Sequence, residues 1–212
     1  RRYARSSHKE IGRAVDEMQY MCKKVQNAGS IEQLMGYEGT AARKYFQVLG
    51  QLIAPEFAFE GRSRRPPMDP FNSMISLGYS IILNEIYGKI EGKGLNPYFG
   101  MMHKDREKHP TLASDLMEEW RAVLIDATAL SMLNGHELTT ENFYSGIEQP
   151  GVFLEKDGFK KYIQKLETKF RTQNRYLSYV EYSVSFRQAL NLQINQFVKM
   201  IETENVEEYS PI

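Results

Sequence analysis

Cysteine is almost absent from this chain, which has one, Cys22, among 212 residues. A single thiol cannot form an internal disulfide, which excludes a disulfide-stapled scaffold and fits a reducing cytoplasm. No apolar run approaches the roughly 18 residues that a membrane-spanning helix needs. Net charge is missing too, because 27 Lys and Arg residues balance 27 Asp and Glu residues. This balance argues against a uniformly basic nucleic-acid coat and leaves room for local basic patches.

Apolar residues recur at helical spacing along most of the chain, and strand signals are minor. We therefore predict a mainly α fold in one domain, residues 1–212, with Cys22 buried on its first helix. One β-hairpin is predicted from Gly151 to Phe159, with Asp157 and Gly158 as its turn. The predicted helical segments are 11–25, 42–53, 71–86, 116–133, 159–170 and 182–201.

Capping residues set several of the predicted boundaries. Ser30 is expected to cap a short segment ahead of the second helix. Asp69 followed by Pro70 is typical of an N-cap and a first-turn proline. A capped turn is expected at Thr139 and Thr140. The acidic end of the chain, residues 202–212, is predicted to be a solvated tail, with a docking role as the alternative.

Three carboxylates fall within one helical turn, a short loop after His103. Asp115, Glu118 and Glu119 repel each other unless solvent, a cation or a basic partner offsets their charge. Their spacing places two carboxylates on one face, where Mg²⁺ or Mn²⁺ could bind, and an imidazole shifts the preference toward Mn²⁺. The alternative is an acidic first turn favoured by the helix dipole. Zinc is disfavoured, because His103 and His109 lack the spacing of a zinc protease.

Two other charged segments are candidates for function. Glu38 lies between Gly36 and Gly39, which would let its backbone pack closely against another segment; a helix-start glutamate is the alternative. The arginine loop, residues 60–67, is stiffened by prolines and suits phosphate contacts that salt would weaken. A solvated loop explains it nearly as well. Its candidate contacts are Arg62, Arg64 and Arg65.

Four motifs occur in order along the chain: YEGTAARKYF, FEGRSRRPPMDPFN, GLNPYFGMMH and ASDLMEEWRAVLID. They present a glycine-flanked glutamate, an arginine-proline loop leading into Asp-Pro-x-Asn, a histidine segment and an acidic helix. Together they resemble the catalytic domain of the CRISPR-associated spacer-acquisition integrase, and the YSPI end is also similar. The resemblance covers nearly the whole chain. It implies that the family's N-terminal β-rich domain, which builds a homodimer, is absent from this chain.

The resemblance also implies a chemistry. Members of the family bind Mg²⁺ or Mn²⁺ and join a DNA 3′-hydroxyl to a repeat phosphodiester by transesterification, and the same site hydrolyses DNA. The implied ligands and catalytic residues are Glu38, His103 and Glu118, with Asp115 as a supporting acid. Asn72 would support the site or bond the preceding loop. The implied DNA-binding residues are Arg62, Arg64, Arg65 and Tyr79.

The implied partners are double-stranded spacer-precursor DNA, CRISPR repeat DNA, a second copy of the chain and a small dimeric ferredoxin-like CRISPR-associated nuclease. We expect no membrane partner, a cytoplasmic location and a role in antiviral defence. Two alternatives remain at this point. One is a related integrase of a mobile element that uses the same three ligands. The other is a non-catalytic helical DNA-binding module whose acidic cluster is only a helix start.

Overall fold

A computed structural model of the protein describes residues 11–57, 59–104, 107–146 and 149–211. A π-helical segment, Arg121–Asp126, separates two of the helices, and short 3₁₀ turns lie at Pro55–Phe57, Thr140–Asn142 and Val206–Glu208. The strands are β1 Phe143–Ser145, β2 Val152–Leu154, β3 Gln173–Asn174 and β4 Val184–Ser185. The helices are α1 Gly12–Val25, α2 Ile31–Leu52, α3 Pro70–Glu91, α4 Thr111–Trp120, α5 Ala127–Asn134, α6 Lys156–Arg171 and α7 Phe186–Thr203.

The fold class is mainly α with small β-hairpins, which confirms the prediction. β1 pairs with β2 and β3 pairs with β4, both antiparallel. Within the described part of the chain, no helix combines the length and the apolar character needed to cross a membrane.

The predicted hairpin position was wrong. β1 pairs with β2 so that Phe143 faces Leu154, and the amide of Gly146 donates to the carbonyl of Gly151 at 2.9 Å. Asp157, the expected turn residue, instead lies in the first turn of α6. An acidic residue there is favoured by the helix dipole and here also forms an ion pair with a lysine one turn later, so the Asp-Gly pair suited a helix start equally well.

The predicted caps are confirmed. The hydroxyl of Ser30 accepts from the amide of Gln33 at 3.2 Å, and α2 then runs without a break through the stretch predicted as two segments. The Oδ1 atom of Asp69 accepts from the amide of Asn72 at 2.8 Å and caps α3. Thr139 forms a capping box with the residue three positions later.

The last helix begins later than predicted. Val184 and Ser185 form β4, which pairs with β3, and Ser185 then caps α7 through a capping box with Gln188. The apolar spacing that predicted a helix from Tyr182 onward also runs through β4. β4 is a strand only because it pairs with β3, which the local pattern does not show.

The chain divides into two compact units. Unit 1 comprises Arg1–Ser73 and Leu130–Glu155. Within it, the side chain of Asn134 accepts from the amide of Ala54 at 2.9 Å and donates to the carbonyl of Leu52 at 2.7 Å, which closes the end of α2. The expectation that Cys22 is buried was wrong: it is exposed, because α1 contributes no buried residue to the described structure.

Unit 2 comprises Met74–Ala129 and Lys156–Ile212. At its periphery Arg187 bonds both carboxylate oxygens of Glu167 at 3.0 Å and Oε1 of Glu85 at 3.1 Å. Arg187, followed by Arg171, lowers the pKa of Glu167 to about 2. The apolar core of unit 2 includes Met74, Ile75, Ile82, Ile86, Leu112, Leu116, Trp120, Leu124, Ile125, Tyr162, Leu166, Phe170, Leu190, Ile194 and Phe197.

Gly78 lies where α3 has no room for a side chain within unit 2. A Cβ atom added there would lie 2.5 Å from both Cγ2 of Ile125 and Oη of Tyr162, and both side chains are fully buried. We expect Gly78→Ala to lower the free energy of unfolding by about 1–3 kcal/mol, the usual cost of overpacking a core. Urea unfolding measures it. The control is Gly88→Ala on the same helix, where an added Cβ meets nothing within 4 Å; a Gly78→Ala variant as stable as this control would contradict the prediction.

Candidate functional site

His103 lies on the loop between α3 and α4, and its ring is held by Asp115. The Nδ1 atom of His103 lies 2.5 Å from Oδ1 of Asp115, whose side chain is only 8% exposed. Because a carboxylate only accepts, this contact places a proton on Nδ1 and, in the neutral imidazole, leaves the lone pair on Nε2. The other oxygen, Oδ2, accepts from the amides of Met101 at 2.7 Å and Met102 at 3.0 Å. Asp115 therefore fixes both the ring and the loop that carries it.

The same loop lies close against the start of α4. A Cβ atom added to Gly100 would stand 2.3 Å from Cγ2 of Thr111 and 3.0 Å from the carbonyl oxygen of His103. The amide of Leu112 donates to the carbonyl of Pro97 at 2.9 Å. The glycine of the histidine motif is therefore required by space, because any side chain would push the loop away from α4.

Glu118 forms an ion pair one turn beyond Asp115. Its Oε2 atom lies 2.7 Å from Nη1 of Arg121, and both side chains are partly buried. The Arg121 guanidinium lies over the ring of Tyr79, 4.7 Å from its centre, and the Tyr79 hydroxyl donates to the buried carboxylate of Asp126 at 2.6 Å. Tyr79 is itself buried, so the structure places it beneath an arginine, and its predicted contact with DNA stays a prediction.

The π-helical segment begins directly after Trp120. Segments of this kind are rare inside helices and are frequent at functional sites. The sequence pattern gave no signal of it, because apolar spacing cannot separate an inserted residue from ordinary helical drift.

The predicted solvated tail was wrong at Tyr209. Its hydroxyl donates to Oε1 of Glu119 at 2.5 Å and accepts from Nε2 of Gln193 at 2.9 Å. The ring packs edge-on against Phe197, with 6.1 Å between ring centres. Burial, followed by the bond to Glu119, raises the pKa of Tyr209. Tyr209 therefore docks on α4 and α7, although residues 202–207 of the tail are exposed.

Each carboxylate of the acidic turn has a protein partner. Asp115 holds His103 and two amides, Glu118 pairs with Arg121, and Glu119 accepts from Tyr209. Protein groups thus offset the repulsion that the sequence predicted, and a cation is not needed to form the turn.

In unit 1, Glu38 and the arginine loop line one cleft of about 750 Å³. Glu38 is exposed in the interior of α2, so the alternative of a helix-start glutamate was wrong. An added Cβ at either flanking glycine meets nothing within 4 Å. The expected close packing of the backbone at these glycines is therefore not found within unit 1. The cleft is mostly basic, with Arg43, Lys44, Arg62 and Arg64 beside Glu38 and Glu60.

Asn72 anchors the arginine loop to α3. It is fully buried; its Oδ1 accepts from Nη1 of Arg62 at 2.8 Å and from the amide of Ser63 at 3.0 Å, and its Nδ2 donates to the carbonyl of Gly61 at 2.7 Å. Nδ2 also donates to the carboxylate of Asp69. Burial raises the pKa of Asp69, although the hydrogen bonds from Asn72 act in the opposite direction. Of the two roles predicted for Asn72, the structure shows the bond to the preceding loop.

The contact between His103 and Asp115 is of the kind that orients a metal-bound histidine. Metal-bound histidines usually donate their other ring N–H to a carboxylate, and His103 makes this contact with Asp115. Within either unit, over the residues that the structure describes, no three His, Cys, Asp or Glu side chains are grouped closely enough to hold a metal ion. The roles predicted for Glu38, His103, Glu118 and Asp115 stay predictions.

The fold and these residues define the class as a mainly helical protein, with a carboxylate-oriented histidine in unit 2 and a basic cleft in unit 1. The family model described as "CRISPR associated protein Cas1" matches residues 1–168, and the chain therefore belongs to the Cas1 family. The predicted resemblance is confirmed.

Known proteins similar to the chain include sequence relatives and solved structures. The CRISPR-associated endonuclease Cas1 of Mycobacterium tuberculosis is 38% identical over 199 residues, which cover 94% of this chain and 59% of that protein. A chain of a partial Cas6-RT-Cas1--Cas2 complex has a TM-score of 0.84 at 25% identity, covering 95% of this chain and 59% of its own length. A casposase bound to integration product has a TM-score of 0.78 at 20% identity, covering 93% and 60%, and thus shares the fold. The chain spans about three fifths of these proteins.

Proposed function

We propose that the chain is the catalytic part of a metal-dependent DNA endonuclease and integrase of CRISPR adaptation. It would insert spacer DNA into a CRISPR array by attack of a 3′-hydroxyl on a repeat phosphodiester. The observation that carries the proposal is the contact between His103 and Asp115, which leaves Nε2 of the ring for a ligand. The name of the mycobacterial relative, an endonuclease, supports the same class of activity.

Glu38, His103 and Glu118 are the proposed ligands of one Mg²⁺ or Mn²⁺ ion. Such an ion, when bound, polarises a phosphodiester and lowers the pKa of an attacking hydroxyl. Asp115 keeps the imidazole in the tautomer with Nε2 unprotonated, and two loop amides keep Asp115 in place. Arg121 limits the movement of the Glu118 carboxylate through their ion pair.

The arginine loop would hold the DNA. Positioning and charge stabilisation supply most of the catalysis in phosphoryl transfer, so a rigid phosphate-binding surface contributes directly to rate. Asn72 provides this rigidity for Arg62, and Arg64 lines the same cleft as Glu38. The proposed partners are spacer-precursor DNA, repeat DNA, a second copy of the chain and a ferredoxin-like CRISPR-associated nuclease. Similarity to a chain of a Cas1--Cas2 complex supports the last of these.

The test is strand transfer from a short duplex with free 3′ ends into a plasmid that carries a repeat, with and without the partner nuclease. We expect joined product with Mg²⁺ or Mn²⁺ and none with a chelator. DNA binding without cleavage or joining under every condition would overturn the proposal in favour of a non-catalytic DNA-binding module. A matched plasmid without the repeat is the control, because equal insertion into both plasmids would favour the integrase of a mobile element.

Replacing arginines of the loop should weaken binding to DNA of any sequence. For Arg64→Gln with Arg65→Gln, we expect the slope of log affinity against log salt to flatten by roughly one unit per lost phosphate contact. Arg62 is left intact because its bond to Asn72 also holds the loop. Fluorescence anisotropy over a salt series measures the slope. Arg175→Gln, an exposed arginine of unit 2, is the matched control. An unchanged slope in the double variant would make the loop a connector.

A further inference from the structure

The docked end of the chain closes a ring of hydrogen bonds beside Glu118. The indole N–H of Trp120 donates to Oε1 of Gln193 at 2.7 Å, and Nε2 of Gln193 donates to the hydroxyl of Tyr209 at 2.9 Å. The hydroxyl then donates to Glu119 at 2.5 Å. Since Glu119 and Trp120 are neighbours in sequence, the ring returns to its start. It joins the last two residues of α4 to α7 and to the tail.

The two central members of this ring are held firmly. Trp120 is fully buried, and Gln193 is only 1% exposed. A buried amide with both its oxygen and its nitrogen bonded has little freedom, because breaking either bond would leave a polar atom unpaired away from water. Gln193 therefore fixes the direction from which the Tyr209 hydroxyl reaches Glu119.

The position of the ring in α4 gives it a mechanical role. Directly after Trp120 the chain enters the π-helical segment, whose hydrogen bonds have a different spacing from those of α4. The end of α4 therefore passes into a segment with a different hydrogen-bond spacing, and contacts from other elements contribute to its orientation. Residues 119 and 120 come immediately after Glu118, so a clamp on both of them sets the direction in which the Glu118 side chain leaves the helix.

We propose that Tyr209 is a positioning residue that acts through Glu119 to hold Glu118 in the direction required to bind the metal ion. This inference rests on the proposed function, in which Glu118 is a ligand. In this proposal Tyr209 is not a ligand and acts only through its bond to Glu119. A tail that only added stability would lower the unfolding temperature when removed and would leave the metal affinity of the folded chain unchanged.

The first test measures Mn²⁺ binding to the chain by isothermal titration calorimetry without DNA. Tyr209→Phe keeps the ring contact with Phe197 and removes both bonds of the hydroxyl, the one to Glu119 and the one from Gln193. We expect the dissociation constant for Mn²⁺ to rise roughly tenfold or more, the range seen when outer-shell partners are removed. Strand transfer should fall by a similar factor. The control is Glu208→Gln, which breaks the 2.6 Å ion pair between Lys199 and the tail without touching the ring; its affinity should match the wild type.

A second pair of variants separates positioning from charge without altering the tail. Glu119→Gln keeps an oxygen that can accept from Tyr209, whereas Glu119→Leu removes it. Positioning predicts that the glutamine variant retains Mn²⁺ affinity, that the leucine variant loses as much as Tyr209→Phe, and that adding Tyr209→Phe to the leucine variant changes nothing more.

The outcomes distinguish this inference from the function beneath it. Equal Mn²⁺ affinity in the wild type and Tyr209→Phe, with strand transfer intact in both, would overturn the role of Tyr209 alone. Equal losses in Glu119→Gln and Glu119→Leu would also overturn it, because charge rather than direction would then be responsible. A wild-type chain that neither binds Mn²⁺ nor joins DNA would overturn the proposed function itself.

Discussion

The His103→Ala variant is expected to lose metal-dependent DNA cleavage and strand transfer while it stays folded. As a proposed ligand, His103 should matter more than an outer-shell partner, whose loss costs roughly 10–100-fold. The side chain is about one third exposed, and Asp115 keeps its two amide donors without it. The free energy of unfolding should therefore change by no more than about 1 kcal/mol. Glu38→Ala and Glu118→Ala should behave alike.

The matched control is His136→Ala. His136 is an exposed histidine of unit 1 whose Nδ1 lies 3.6 Å from Oε1 of Glu56, so it repeats the pairing of an imidazole with a carboxylate, and neither residue is a proposed ligand. Its strand transfer should equal that of the wild type. Full activity of His103→Ala with Mg²⁺ would remove His103 from the ligand set. Partial activity with Mn²⁺ alone would be a smaller contradiction, because water can replace one imidazole.

Asp115→Asn should reduce strand transfer by about 10–100-fold, through loss of ring orientation rather than loss of a ligand. An asparagine presents one oxygen and one amide group, so it cannot accept from both the His103 ring and the two loop amides as the carboxylate does. The expected signature is a higher Mn²⁺ concentration for half-maximal activity, with partial recovery at saturating Mn²⁺.

Two comparisons make this result specific to the orienting role. His103→Ala should recover less at the same Mn²⁺ concentration, because loss of a ligand lowers the Mn²⁺ affinity further than misalignment of that ligand does. Asp157→Asn, which alters an exposed aspartate in the first turn of α6, should leave the Mn²⁺ dependence unchanged. An Asp115→Asn variant with wild-type Mn²⁺ dependence would show that the carboxylate does not orient the ring.

Local patterns predicted the helices well, because apolar spacing and capping residues act within a few positions of each other. Ser30 and Asp69 both cap as expected. The two errors in the strands have the same cause, which is pairing between segments that are not neighbours in sequence. β4 exists only because β3 pairs with it, and the hairpin turn lies before β2 rather than after it because β2 pairs with β1. No local pattern contains this information.

In the candidate site, too, contacts between residues close in sequence were easier to predict than contacts between residues far apart in sequence. Arg121 stands three positions after Glu118, a spacing at which side chains on a helix meet, so their ion pair depends on local sequence alone. Tyr209 reaches Glu119 across 90 positions, and a polar, acidic tail gave no reason to place it there. The four motifs identified the family, but they said nothing about which group satisfies which carboxylate. That assignment needs the folded chain.

The pairing of all three carboxylates of the acidic turn with protein groups has an evolutionary consequence. Since protein partners already satisfy Asp115, Glu118 and Glu119, folding of the turn makes no demand that the chemistry be retained. A descendant that mutated His103 would lose one bond to Asp115 and keep the amides that fix the loop. Loss of the proposed chemistry would therefore leave the turn folded, and an inactive descendant would keep this part of the scaffold.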